Sequence, residues 1–89
     1  MEKNTKNNEK IPFENIKPIE LERVLLLYGM KKQTYCELHT KSKSWWYNVL
    51  IKRKFLTYTD IKILTESIGV ETFFMLLEKV REQHNKKME

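Results

Sequence analysis

The sequence predicts an all-α fold, a compact bundle of five short helices in one domain. Three observations predict it. Apolar residues recur at three- and four-residue spacing through most of the chain, the period of a helix with one buried face. Only two glycines and two prolines occur in 89 residues, too few for a loop-rich or all-β design. Both glycines, Gly29 and Gly69, stand at the ends of apolar stripes, where a left-handed residue stops a helix. Alanine is absent, so the helices must rest on Leu, Ile, Lys and Glu.

Residues 1–16 read as a flexible arm. Met1 to Lys10 offers Lys, Asn and Glu with nothing apolar to bury, which favours a solvated tail. The alternative is a basic arm lying along a polyanion, which Glu2 and Glu9 weaken. Pro12 and Pro18 bracket an extended entry from which Phe13 and Ile16 can pack on the core. The folded domain spans 17–84.

Its first helix begins at Pro18, suited to the first helical position because it has no N–H to leave unpaired. Leu21, Val24, Leu25 and Tyr28 form its apolar stripe, and Gly29 stops it. A second helix covers Lys31 to His39, with Tyr35, Cys36 and either Leu38 or His39 inward. Thr40-Lys41-Ser42 interrupts the pattern. Ser42 can cap a third helix, Lys43 to Ile51, whose inward residues are Trp46, Val49 and Leu50. Lys52-Arg53-Lys54 reads as a basic loop. A fourth helix starts near Thr59-Asp60, buries Ile61, Leu64 and Ile68, and ends at Gly69. A fifth, Glu71 to Gln83, buries Phe73, Phe74, Leu77 and Val80, with Val70 packing at its entry. Residues 85–89 are polar and expected to fray.

The formal charge of +5 favours polyanions, nucleic acid before anionic membrane. Cys36 is the only cysteine, so no intramolecular disulfide can form and a reducing compartment is expected. The N-terminal ten residues contain no apolar signal segment, and the apolar run Val24 to Tyr28 is too short to span a bilayer. A cytoplasmic protein without membrane contact is the expectation. Catalysis finds little support. Cys36 and His39 share a helical face, but no third group orients them. One Cys and two His are too few for a metal site. Neither enzymatic activity nor a cofactor is expected.

Two segments carry a family resemblance. LERVLLLYGMKKQTYCEL, residues 21–38, resembles the first helix, the Gly-apolar junction and the Gln-Thr second-helix start of the phage-repressor helix-turn-helix family, the Cro/CI-like or XRE type. LTYTDIKILTESIGVETFFML, residues 56–76, resembles that family's fourth helix, its Ile-Gly-Val exit and the opening of its fifth. The middle departs from the pattern. Where the family places an apolar residue, Ala and the turn Gly, this chain has Tyr35, Cys36 and Thr40. Lys41 stands where an apolar residue follows the turn. The resemblance implies a lambda repressor-like DNA-binding domain that presses its second and third helices onto duplex DNA.

The charge distribution fits that use. Between residues 31 and 54 the sequence holds Lys31, Lys32, Lys41, Lys43, Lys52, Arg53 and Lys54 against Glu37 alone. Of these, Lys31, Lys32, Lys41, Lys52, Arg53 and Lys54 are the candidate phosphate contacts, with Gln33 and Thr34 at the start of the second helix as positioning partners. On the third helix Lys43, Ser44, Tyr47 and Asn48 fall outward when Trp46 turns inward. They are the candidate base-reading residues, because Asn pairs adenine and Lys favours guanine through the major groove. The structural alternative is a solvated basic face.

The fifth helix carries more large apolar residues than one buried face needs. Part of that surface, drawn from Phe73, Met75, Leu76 and Val80, is expected to form a symmetric homodimer, which would present two recognition helices to half-sites about 34 Å apart. The expected function is sequence-specific binding of double-stranded DNA by a small transcriptional regulator or repressor of phage or mobile-element type. The alternative is a protein-interaction module on the same scaffold, an antitoxin-like subunit or a protein inhibitor, with its partner docking around Trp45.

Overall fold

A computed structural model describes residues 15–88, with side chains described through Gln83. Among the described residues are five α-helices, a 3-10 turn and no strand. The helices are α1 (Pro18–Tyr28), α2 (Lys32–Leu38), α3 (Lys43–Asn48), α4 (Tyr58–Ile68) and α5 (Val70–Met88), and the 3-10 turn (Leu50–Lys52) follows α3.

Helix α1 starts at Pro18, and the Glu20 carboxylate accepts the Lys17 N–H at 2.9 Å, satisfying a donor that the helix leaves open. Pro18, Leu21, Val24 and Leu25 face the core, while Tyr28, expected on this stripe, lies exposed at the helix end. The helix packs chiefly against α5. Arg81 of α5 fastens the pair, donating to both Glu20 oxygens at 2.7 and 3.1 Å. Burial alone would raise the Glu20 pKa, but the bonds from Arg81 and the Lys17 N–H hold it below the ordinary carboxylate value.

The expected packing of Ile16 on the core is present. Ile16 is fully buried and its carbonyl accepts the Leu56 N–H at 2.8 Å, so order reaches at least this residue. Phe13 and the rest of the arm lie outside the described residues.

Helix α3 ends at Asn48, three residues before the expected boundary. Val49, expected inward, leaves the helical region at φ −126° and is exposed, whereas Leu50 of the 3-10 turn is buried with Trp46 in the core, as expected. Helix α4 starts at Tyr58, one residue before the expected start near Thr59, and is capped by Thr57. Thr57 Oγ1 accepts the Asp60 N–H at 3.2 Å, and the Asp60 carboxylate accepts the Thr57 N–H at 2.9 Å. Gly69 alone separates α4 from α5, at φ +98° and ψ 141°, a conformation that any Cβ would strain.

Helix α5 begins at Val70, one residue before the expected start, and Val70 is exposed rather than packed at the entry. Phe73, Leu76, Leu77 and Val80 are buried in the core and Phe74 packs partly against it. Of the four residues expected at a dimer surface, Phe73, Leu76 and Val80 therefore serve the chain's own core, and only Met75 is exposed. The stripe is wide because α5 lies against both α1 and α4. Its helical backbone continues to Met88, through most of the tail expected to fray.

Candidate nucleic-acid interface

Tyr35, Cys36 and Trp46 anchor α2 and α3. Each is buried, and the Tyr35 and Trp46 rings meet edge-on with centroids 5.9 Å apart. Between the helices the chain reverses in four residues. His39 N–H donates to Cys36 O, Thr40 N–H to Glu37 O and Lys41 N–H to Cys36 O, each at 2.9 Å. Thr40 sits at φ +56°, the left-handed region that a β-branched residue enters only under strain.

With those anchors inward, Lys43, Ser44, Tyr47 and Asn48 are all exposed on α3. The Ser44 hydroxyl shares a hydrogen bond with that of Ser42 at 2.8 Å, and Ser42, at the N-cap position, makes no side-chain cap bond. Lys31, Gln33, Thr34, Lys41, Lys52 and Lys54 are exposed as well. Gln33 donates to Glu37 at 3.3 Å, drawing that acid along α2. A shallow groove of about 420 Å³ runs between the end of α1 and these helices, lined by Lys31, Lys32, Gln33, Lys43 and Tyr47 among others.

Two of the seven cations are held in ion pairs within the fold. Lys32 pairs with Glu22 at 2.7 Å and reaches the Tyr47 hydroxyl at 3.5 Å, lying 5.4 Å from the Tyr47 ring centre. The Glu22 bond holds its ammonium above the usual lysine pKa. Arg53 is half-buried and pairs with the Asp60 carboxylate. Lys31, Lys41, Lys43, Lys52 and Lys54 remain exposed, with no ion pair to a described residue.

No protein-family model, curated protein or solved structure matches this chain.

Behind the basic face lies a polar cluster that links α2 to α4. The Tyr35 hydroxyl donates to Asp60 O at 2.7 Å, and His39 Nε2 stands 2.9 Å from the same hydroxyl. Tyr35 has only one proton to give, so His39 Nε2 carries the hydrogen and donates to Tyr35. Asp60 Oδ1 lies 3.7 Å from His39, while Oδ2 accepts from both Arg53 and Thr57. Burial lowers the His39 pKa, Asp60 opposing and Arg53 and Lys41 adding to it. Burial raises the Tyr35 pKa far above the usual phenol value and pushes the Cys36 thiol up. Burial thus disfavours the Cys36 thiolate, and His39 is the inward member of the Leu38–His39 alternative.

Trp45 is half-buried. Its ring lies 4.6 Å from that of His39 and 5.6 Å from the Arg53 guanidinium, and it packs against the core. Asp60 is the residue that sequence reasoning undervalued. Thr57-x-x-Asp60 has capping-box spacing, which was readable. The approach of Arg53, across the 3-10 turn, had no signal.

Proposed function

We propose that the protein binds double-stranded DNA through the face formed by α2, α3 and the following basic turn, as a small transcriptional regulator of the helix-turn-helix kind. One observation carries the reading. Five exposed lysines with no ion pair to a described residue, Lys43 among them, fall on a short helix and in the chain segments before and after it, and the exposed side chains of that helix are Lys43, Ser44, Tyr47 and Asn48. Phosphate contacts need the first ingredient and base-edge contacts the second. The left-handed Thr40 lends the reading support, because it falls where the resembling family turns on glycine.

Within this reading Lys31, Lys41, Lys52 and Lys54 meet phosphates, while Lys43 and Asn48 face base edges. Lys32 and Arg53 are supporting cations whose first partners are Glu22 and Asp60. No catalytic step is involved. The alternative of a protein partner at Trp45 is less favoured, because that ring already packs against His39, Arg53 and the core.

The test is binding to a random duplex pool at two salt concentrations. Release of counterions from about four phosphates makes affinity fall roughly 150-fold between about 50 and 200 mM salt. Selection should enrich a defined site. Asn48→Ala should relax its sequence preference, whereas Lys41→Ala should weaken binding to every sequence and flatten the salt slope by about one unit. Absence of binding at the lower salt, with the chain folded, would overturn the proposal.

A further inference from the structure

Helix α1 has a second apolar face that the described residues leave exposed. At about 100° per residue, Ile19, Glu22, Arg23, Leu26 and Leu27 share the side opposite Leu21, Val24 and Leu25. Ile19 and Leu27 are each 45% exposed and Leu26 is 73% exposed, an unusual degree for a leucine in mid-helix. With Gln83 these five residues line a groove of about 390 Å³.

We propose that the protein forms a homodimer through this face, two α1 helices packing antiparallel about a two-fold axis between the levels of Glu22 and Arg23. The order of side chains along the helix selects that register. In an antiparallel pair centred there, Ile19 of one copy is level with Leu26 of the other, and Glu22 with Arg23. Each pairing occurs twice, as a two-fold interface requires. A shift of half a residue, centring the axis on Arg23, would set the two Arg23 guanidiniums against each other. Charge therefore distinguishes the registers even though the apolar residues would tolerate either.

The charges are available for the pairing. Arg23 makes no ion pair with a described residue, and Lys32 takes only Glu22 Oε2, at 2.7 Å. Helix α1 has 11 residues, about 16 Å of axis, which places the contact at the small end of specific interfaces. The dimer is accordingly concentration-dependent. This inference is independent of the nucleic-acid reading, and its test contains no nucleic acid.

Sedimentation of the full chain from about 10 to about 500 µM should show a reversible monomer–dimer equilibrium. Leu26→Glu changes a side chain that makes little contact within the fold. It should raise the dissociation constant at least about tenfold while the thermal melt at low concentration stays unchanged. Charge complementation supplies the stricter measurement. Glu22→Lys places a lysine opposite Arg23, and Arg23→Glu places a glutamate opposite Glu22, so each variant alone should be monomeric. An equimolar mixture should restore the dimer, because each lysine at 22 then meets a glutamate at 23 and each Arg23 meets a Glu22. A wild type that stays monomeric throughout, a Leu26→Glu dimer of unchanged affinity, or a mixture that remains monomeric would overturn the proposal.

Discussion

Replacing Asp60 by alanine removes one side chain with three separable roles. The residue is 2% exposed and lies in the first turn of α4. Its carboxylate satisfies the Thr57 N–H, and loss of this half of the capping box costs about 1 kcal/mol. It accepts from the Arg53 guanidinium, a charge-assisted bond worth about 1.5 kcal/mol after allowance for the half-exposed arginine. Its charge also complements the N-terminal end of α4, adding about 0.5 kcal/mol. Asp60→Ala is therefore expected to destabilise the protein by about 3 kcal/mol, lowering the Tm by roughly 12–24 °C. Urea denaturation followed by far-UV circular dichroism at pH 7 measures it. Asp60→Asn keeps an acceptor for Thr57 and should cost about half as much, and Arg53→Met only about 1–2 kcal/mol. A loss below about 0.5 kcal/mol for Asp60→Ala, or equal losses for alanine and asparagine, would refute this assignment of roles.

Three further outcomes are expected. Burial keeps the folded His39 pKa below its ordinary value near 6.5, so the unfolded chain binds the proton first as pH falls. The stability contributed by the neutral ring is thus complete above about pH 6.5 and declines as pH drops toward the folded value. Urea midpoints between about pH 7 and 5 should fall more for wild type than for His39→Gln, and parallel slopes would rule His39 out as the cause. Thr40→Gly relieves the left-handed strain at φ +56° and should raise stability by about 0.5–1 kcal/mol, whereas Thr40→Val should lower it. Trp46→Ala empties a fully buried site between α2 and α3 and should cost about 3–5 kcal/mol, enough to leave this small domain marginally folded in a thermal melt.

The sequence by itself determined the helices and their order. Period, proline and glycine identify α1, α4 and α5, because those signals act within a few residues of chain. It also determined the concentration of cations between Lys31 and Lys54, since charge distribution along a chain needs no fold to be read. Only the tertiary structure decided which of those cations are engaged. Lys32 meets Glu22 because α2 packs beside the end of α1, and Arg53 meets Asp60 because the 3-10 turn carries it back to α4. Val49, expected inward beside Leu50, lies exposed for a similar reason: the helix breaks after Asn48, and only Leu50 of the following turn is buried. The surplus of apolar residues was visible on α5, yet the fold covers most of it and leaves the outer face of α1 bare. Periodicity reveals that a face is apolar. Which neighbour covers it depends on how many elements pack around that helix, and that is a property of the assembled core.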